Sequence, residues 1–507
     1  MRYGFVIDHR RCIGCHACTV ACKEENRVPL GAFRTWVKYV EKGTFPDTRR
    51  YFSVLRCNHC DDAPCVTICP TVALYRRPDG IVDFDGRRCI GCKSCMQACP
   101  YDALYIDPTT NTAAKCHYCA HRLEVGLEPA CVIVCPERAI IAGDLDDPRT
   151  DIARLVAREQ VEVRKPEQGT RPKVFYVGAD SSTLTPPLQR QSTTFMFGQR
   201  PAAEADLVQM VAALQAQEAG GDGALSRSVY DAPHAPRPWG ARVSAYLWTK
   251  SIAAGALLVA AFGGWETLYT VAAPAISLLF LALTTLLLVF DLKRPDRFAY
   301  ILLKPNWRSW LVWGAWILLA FGAVGGLWLL GGLTGAHAVI KLIAVPTVLL
   351  ALAAAGYSAF LFGQAEGRDF WQSPLVLPHL IVAAVVAGTA ALIMAATVLA
   401  RPGALELGQI LVAALVLHLA LLGLELLSRH PVRDVALAAR LITHGAYRVR
   451  FWTGVVAAGV LAPILLLVAG ASLGLGALPA LAALLALAGL WLWEDLWVKA
   501  GQSVPLS

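Results

Sequence analysis

The sequence predicts a chain of two unlike bodies: an α+β domain built on a duplicated cysteine motif, then an all-α polytopic membrane domain of eight transmembrane helices. Three observations carry this. All sixteen cysteines of the 507 residues fall between Cys12 and Cys135. They group in fours, and two of the groups share one spacing, as a duplication leaves behind. Beyond about residue 240 the composition turns to Leu, Ala, Val and Gly, in apolar runs long enough to cross a hydrocarbon core of about 30 Å. The chain is too long for one domain. Its net charge of +8 does not point to nucleic acid, because the basic residues sit in short loops between the apolar runs.

The quartets are Cys12, Cys15, Cys18, Cys22; Cys57, Cys60, Cys65, Cys69; Cys89, Cys92, Cys95, Cys99; and Cys116, Cys119, Cys131, Cys135. The first and third read C-x2-C-x2-C-x3-C, the run with which bacterial ferredoxins hold [4Fe–4S] clusters. The other two keep the C-x2-C opening and the C-x3-C close around a longer middle. Pro70, Pro100 and Pro136 each follow a closing cysteine, as in the ferredoxin run. Zinc uses separated C-x2-C pairs and has no need of this triple spacing. A disulfide framework needs an oxidising compartment, and no secretory signal is expected before Cys12. Four [4Fe–4S] clusters are the expectation.

Tyr3, Phe5, Val6 and Ile7 predict a short strand leading into the first quartet. Quartets one and three repeat R-x-C-I-G-C-x-x-C-x-x-x-C from Arg11 and Arg88. In two-cluster ferredoxins the fourth cysteine of a run ligates the other cluster, because it has already entered the next helix. The outer quartets are therefore expected to exchange their last cysteines, and so are the inner ones.

Residues 1–150 resemble the electron-transfer subunits of complex iron–sulfur molybdoenzymes, the family of the dimethyl sulfoxide, polysulfide and nitrate reductase iron–sulfur subunits. The matching stretches are C-I-G-C-H-A-C-T-V-A-C-K-E-E-N at 12–26, C-N-H-C-D-D-A-P-C-V-T-I-C-P at 57–70, C-P-Y-D-A at 99–103 and K-C-H-Y-C at 115–119. The resemblance implies four ligand sets: Cys12, Cys15, Cys18 with Cys135; Cys22 with Cys116, Cys119, Cys131; Cys57, Cys60, Cys65 with Cys99; and Cys69 with Cys89, Cys92, Cys95. Every ligand position is cysteine, so no [3Fe–4S] site is implied.

Residues 151–240 read as an extension and linker, with a strand expected at Val174 to Val177 and a weak helical pattern from Asp206 to Gln217. From Ala219 to Gly240, Gly, Ser, Ala and Pro mark a connector. The membrane domain is expected over 241–507, with spans near 243–264, 268–290, 310–330, 339–363, 376–399, 407–427, 453–472 and 476–496. W-T-K-S-I-A-A-G at 248–255 and G-Y-S-A-F-L-F-G-Q at 356–364 resemble the NrfD-type membrane subunit of polysulfide reductase. That resemblance implies exchange of electrons with a quinone pool and no haem; His379 and His418 are the histidines a haem would have to use.

Basic residues crowd the helix ends on the side of the cysteine domain: Arg237, Arg242, Lys293, Arg294, Arg297, Lys304, Arg308, Arg368, Arg429, Arg433, Arg440, Arg448, Arg450 and Lys499. The other side shows only Arg401 and Lys341. The positive-inside rule then places the cysteine domain in the cytoplasm, on the inner membrane, unlike polysulfide reductase. The start M-R-Y-G-F-V-I-D, with no twin-arginine signal, agrees.

Ionisable groups inside membrane segments are costly, so they mark function by default. Tyr246, Lys250, Tyr357, Gln364, His379 and Glu425 are the candidate quinone pocket. Tyr357 matches the fourth-helix tyrosine of the family's pocket, and Lys250 stands where the family has a first-helix histidine. Simpler roles compete. Tyr246 and Trp248 suit an interfacial belt, Lys250 can snorkel, His379 can cap a turn, and His418 suits an interhelical hydrogen bond. His337, Lys341 and His418 sketch a proton path too thin to define a pump.

The expected function is an electron-transfer and quinone-reacting subunit of a membrane-bound molybdenum or tungsten oxidoreductase, with no catalytic residue for substrate on this chain. A separate pterin-bearing catalytic subunit, the quinone pool and the lipid bilayer are its expected partners. The alternatives are a subunit of a proton-translocating quinol-oxidising complex and a self-sufficient ferredoxin:quinone reductase.

Overall fold

A computed structural model describes residues 1–186, 190–191, 226–232, 238–399, 404–473 and 477–507. The helix expected over Asp206 to Gln217, most of the Ala219–Gly240 connector, Arg237 and Arg401 lie outside the described residues. The chain divides into two units: Met1–Pro238 with Gln364–Arg368 and Gln502–Ser507, and Trp239–Gly363 with Asp369–Gly501.

The first unit is organised by the strand β1 (Tyr3–Asp8), where the sequence places one. Its Phe5, Val6 and Ile7 are fully buried, so both faces of the strand are covered. The remaining long strands are β2 (Thr35–Thr44), β3 (Asp47–Arg56), β4 (Ile140–Asp144), β5 (Val161–Glu162), β6 (Val174–Val177) and β7 (Ser226–Tyr230). One sheet runs β4-β1-β6-β5, with β1 parallel to β6 in the register Phe5↔Val174 and antiparallel to β4 in the register Phe5↔Ala142. Phe5 and Ile7 pack with Val174, Tyr176, Ile140 and Tyr118 on one face, and Val6 with Ile152 and Val177 on the other. The second sheet is the β2–β3 hairpin extended by β7 and Arg190–Gln191.

Part of the expected extension and linker is therefore sheet. The V-F-Y-V stretch at 174 is the strand its β-branched and aromatic residues predict. Ser226–Tyr230 was expected to be connector, and is strand. Its Ser226, Ser228 and Tyr230 alternate inward, but serines carry almost no hydropathy contrast for a period of two to show.

The second unit carries eight helices long and apolar enough to cross a membrane: α1 (Ala241–Ala260), α2 (Leu268–Asp291), α3 (Trp310–Thr334), α4 (His337–Gly363), α5 (Val376–Val398), α6 (Glu406–Leu427), α7 (Arg450–Leu473) and α8 (Leu478–Gly501). Each expected span meets one of them. α1 is the central helix, packed on α2, α4, α5 and α8 and buried on nearly every side. Leu279, Leu283 and Leu286 of α2, Leu342 and Leu349 of α4 and Leu465 and Val468 of α7 face outward, a surface that suits lipid and not water. Arg433–Thr443 forms a short amphipathic helix between α6 and α7, burying Leu437, Leu441 and Ile442.

Apolar side chains gain nothing from leaving lipid for one another, so membrane helices associate through close packing of small residues. Gly255 of α1 and Gly388 of α5 meet backbone to backbone, and a Cβ on Gly255 would collide with the Ala384 carbonyl. Gly459 of α7 and Gly489 of α8 repeat the arrangement. Gly326 of α3 has open space around it. Gly255→Ala should lower the thermal unfolding temperature in detergent, at a cost of roughly 1–3 kcal/mol for overpacking. Gly326→Ala, compared in the same thermal-shift assay, should leave it unchanged or raise it slightly, since alanine favours helix.

Candidate metal centres and a buried polar site

The cysteine loops curl in the same way at both copies of the repeat. Gly14 and Gly91 take left-handed φ values of 71° and 69°, and the residues two further on, His16 and Lys93, do so at 61° and 66°. Such turns aim consecutive N–H groups inward, where an anionic group is received. Sulfur is the acceptor in several cases: Gly91 N–H and Ala113 N–H donate to Cys89 Sγ (3.4 and 3.3 Å), His59 N–H to Cys57 Sγ (3.5 Å) and Ala139 N–H to Cys135 Sγ (3.2 Å). Helices start directly after the turns, Ala17–Glu25 carrying Cys18 and Cys22, and Ser94–Ala98 carrying Cys95.

Two cavities show how the motifs combine. One is lined by Cys12, Cys15, Cys18 and Cys135, with Ile13, Val37, Val54 and Ile140 around them. The other is lined by Cys69, Cys89, Cys92 and Cys95, with Leu74, Ile90 and Ala113. Each takes three cysteines from one motif and the closing cysteine of another. Elsewhere Cys22 is in electrostatic reach of Cys119 and Cys131, and Cys116 of Cys22. Cys65 is in reach of Cys57, Cys60 and Cys99. Three further proximities link the groups into a row: Cys18 with Cys131, Cys116 with Cys57, and Cys95 with Cys65.

Among the described residues no three His, Cys, Asp or Glu side chains could share a single metal ion. Sulfurs on one zinc, with bonds near 2.3 Å, would stand within roughly 4 Å of each other. Burial pushes the Cys18 and Cys92 thiols up to about 12, and those of Cys22 and Cys99 to about 11. Loading a metal group must therefore displace protons.

Two cations lie among these thiols. Arg56 is 1% exposed; its Nη1 donates to Cys131 Sγ (3.2 Å), its guanidinium lies 4.4 Å over the Phe5 ring, and its Nε and Nη2 have no partner. Lys115 is fully buried, its Nζ donating to Cys57 Sγ (3.5 Å), to the Cys116 carbonyl (2.8 Å) and to the Val82 carbonyl. Burial works against the charge of Lys115, and Cys57, Cys65 and Cys116 outweigh it, so its pKa is raised. Burying a lone cation costs several kcal/mol per ion. Cations in such places fit a thiolate-bound, negatively charged group, so the donor set and its surroundings fit iron–sulfur clusters.

In the second unit, Lys250 of α1 is 1% exposed and does not snorkel: Nζ donates to the Ala355 carbonyl (2.6 Å) and to Ser358 Oγ (3.0 Å), 5.0 Å over the Tyr357 ring. Tyr246 is buried beside Tyr357 and Ser358. Tyr246 and Lys250 are both enclosed by the protein. Sequence reasoning missed Glu494 of α8, which is 4% exposed and lies in reach of Lys250 and Ser251. An acid near the end of an apolar run reads as interfacial, and only its helical spacing could have turned it inward.

His379 of α5 and Glu425 of α6 pair at 2.8 Å, and Trp497 Nε1 donates to the same carboxylate (3.3 Å). The His379 ring thus lies against a carboxylate of the neighbouring helix. Trp493 stacks on the His379 ring, and His418, its ring nitrogens unpartnered, stands perpendicular to it at 5.9 Å. Trp493 and Glu494 are consecutive, so α8 supplies both groups. Gln364 belongs with the first unit and not with the other five candidates. His337 and Lys341 both pack on Trp265, away from His418 in the fold's contacts.

Clustered cysteine loops ahead of eight apolar helices define an iron–sulfur protein fused to a membrane domain. Residues 48–145 match the 4Fe-4S dicluster domain family, and residues 232–505 match the family described as Polysulphide reductase, NrfD. The latter match spans more than half of the protein, which belongs to the NrfD family. Its first part is similar to a subunit of the tetrathionate reductase of Salmonella typhimurium, 49% identical over 193 residues, 37% of this chain and 77% of the relative. It is also similar to protein NrfC of Escherichia coli K12 (44% over 180 residues; 35% and 81%) and to the thiosulfate reductase electron transfer subunit PhsB of Salmonella typhi (45% over 163 residues; 32% and 84%).

Stripping iron with a chelator under oxidising conditions should unfold the first unit and spare the helices, because Arg56 and Lys115 then lose their counter-charge. Limited proteolysis should cut within residues 1–186 while the helical circular dichroism signal persists.

Proposed function

We propose that this chain is the electron-transfer and quinone-reacting subunit of a membrane-bound molybdenum or tungsten oxidoreductase. Four [4Fe–4S] clusters supply one-electron carriers. The proposed ligand sets are Cys12, Cys15, Cys18, Cys135 (first); Cys22, Cys116, Cys119, Cys131 (second); Cys57, Cys60, Cys65, Cys99 (third); and Cys69, Cys89, Cys92, Cys95 (fourth). The two cavities and the cysteine proximities support this grouping, and the three links between groups support a continuous row. Two of the relatives are named as subunits of reductases, one of them as an electron transfer subunit. Those names support a separate catalytic subunit that carries the pterin. The excess of basic residues on one side of the helices supports a cytoplasmic placement of the cysteine unit.

One observation carries the quinone reading: Lys250, Tyr246, Tyr357 and Glu494 are buried together within an apolar bundle. A quinone needs donors at its carbonyl oxygens and a proton source as it is reduced. Lys250 Nζ and the two phenols are donors by chemistry, and Glu494, in reach of Lys250, is a carboxyl that carries a proton by chemistry. Lys250 is held by Ala355 and Ser358 and can turn to a carbonyl without leaving the membrane interior. Electron flow in either direction uses the same groups. His379 and Glu425 form the neighbouring part of this polar interior.

The buried His379–Glu425 pair, with His418 beside it, favours a second reading, a proton-translocating quinol-oxidising complex. Proton release by vesicles during turnover separates the two.

Lys250→Met or Tyr357→Phe should lower quinone-linked turnover about a hundredfold, the usual loss for one positioned donor, while cluster signals in electron paramagnetic resonance stay unchanged. Undiminished turnover in both would move the pocket elsewhere. A tagged chain should copurify a large subunit containing molybdenum or tungsten; a preparation with neither metal would sink the assignment.

A further inference from the structure

The two buried cations of the cysteine unit occupy corresponding places. Arg56 reaches Cys18 of the first set and Cys131, Cys116 and Cys22 of the second. Lys115 reaches Cys116 of the second set and Cys57 and Cys65 of the third. Each link between consecutive sets, up to the third, thus holds one cation with almost no exposure to water. At the fourth set, Cys95 is in reach of Cys65, Cys69, Cys89 and Cys92, and the buried Lys93 lines the same cavity as Cys69, Cys89, Cys92 and Cys95. Neither cation has a carboxylate against it. The nearest charge of opposite sign to Lys115 outside the cysteines is Asp83, which sits by Arg77 at 3.6 Å and accepts the Phe84 N–H. The two unpartnered N–H groups of Arg56 point to acceptors that the protein itself does not provide.

We propose that Arg56 and Lys115 are positioning residues of the electron path, fixed charges placed between consecutive clusters that raise the reduction potentials of the first three. This rests on the ligand sets proposed above. Reduction adds one negative charge to a cluster and takes up one electron from its neighbour in the row. A cation fixed between two clusters lowers the cost of that charge on either side, and low dielectric leaves it unscreened. Net charge and hydrogen bonds to sulfur are the levers by which a protein sets such potentials. Because each cation serves two clusters, it moves them together and keeps the step between them small. The sulfur contacts of Arg56 and Lys115 are with cysteines of the second and third sets, and the buried Lys93 lies at the fourth.

The test is a redox titration followed by electron paramagnetic resonance on the full-length chain, with iron and labile sulfide assayed alongside. Arg56→Gln should lower the potentials of the first and second clusters, and Lys115→Gln those of the second and third. Each shift should be about tenfold in the reduction equilibrium, about 59 mV for a one-electron couple. Arg56→Lys and Lys115→Arg should restore them to within about threefold. Asp83→Asn removes a negative charge near Lys115 without touching a cysteine, so it should shift the second and third clusters upward. The fourth should stay fixed throughout. Glutamine variants that keep their iron and their potentials overturn the proposal. So do glutamine variants that shed iron while Asp83→Asn moves nothing; if they shed iron and Asp83→Asn shifts the potentials upward, the electrostatic role stands. Cys18→Ser and Cys131→Ser test the ligand sets separately: loss of one and the same cluster signal would refute the sets without touching the Asp83→Asn result.

Discussion

A negatively charged metal group has to leave water to carry electrons through a protein, and the first unit is shaped by that requirement. Thiols such as Cys18 and Cys92 cannot simply be buried, because burial alone holds them protonated. The fold answers with inward N–H groups from left-handed turns and with two cations that have little other purpose in so dry a place. Sheet and helices are arranged around this. β1 ends where the first loop begins, and β3 ends at Arg56, immediately before Cys57.

The same constraint returns in the second unit with lipid in place of water. Lys250, Glu494, His379 and Glu425 are charges or potential charges in a bundle whose outer surface is leucine, valine and tryptophan. Each meets a complementary group: Lys250 a carbonyl and a serine, Glu425 a histidine and an indole. Glu494 has Lys250 and Ser251 in reach. Groups retained at such cost belong to chemistry more than to stability. The helices that carry them are locked by glycine contacts, so the polar groups stand on a frame with little freedom to drift.

Much of this could be read from the chain alone, for a physical reason in each case. Cysteine spacing is dictated by the geometry of the group held, and apolar length by the thickness of the bilayer, so quartets and spans were both legible. The strand at Ser226–Tyr230 was hidden because its alternation lies in serines. Arg56 and Lys115 were overlooked because a basic residue beside a cysteine looks like any surface charge until its burial is known. Glu494 escaped for the same reason at the end of α8. Sequence shows which residues are present within a period. It does not show which way a charge near a helix end turns.

β1 has neighbours that come from far along the chain: β4, about one hundred and forty residues later, and β6, which pairs Phe5 with Val174. A ribosome making this protein must therefore pass residue 177 before the first strand can be enclosed, and α1 begins at Ala241, only a short stretch behind. Domains tend to fold as units in the order they emerge. The sheet around β1 can thus close before the first hydrophobic helix is handed to the membrane, while Gln364–Arg368 and Gln502–Ser507 join the cysteine unit only after the helices have been made.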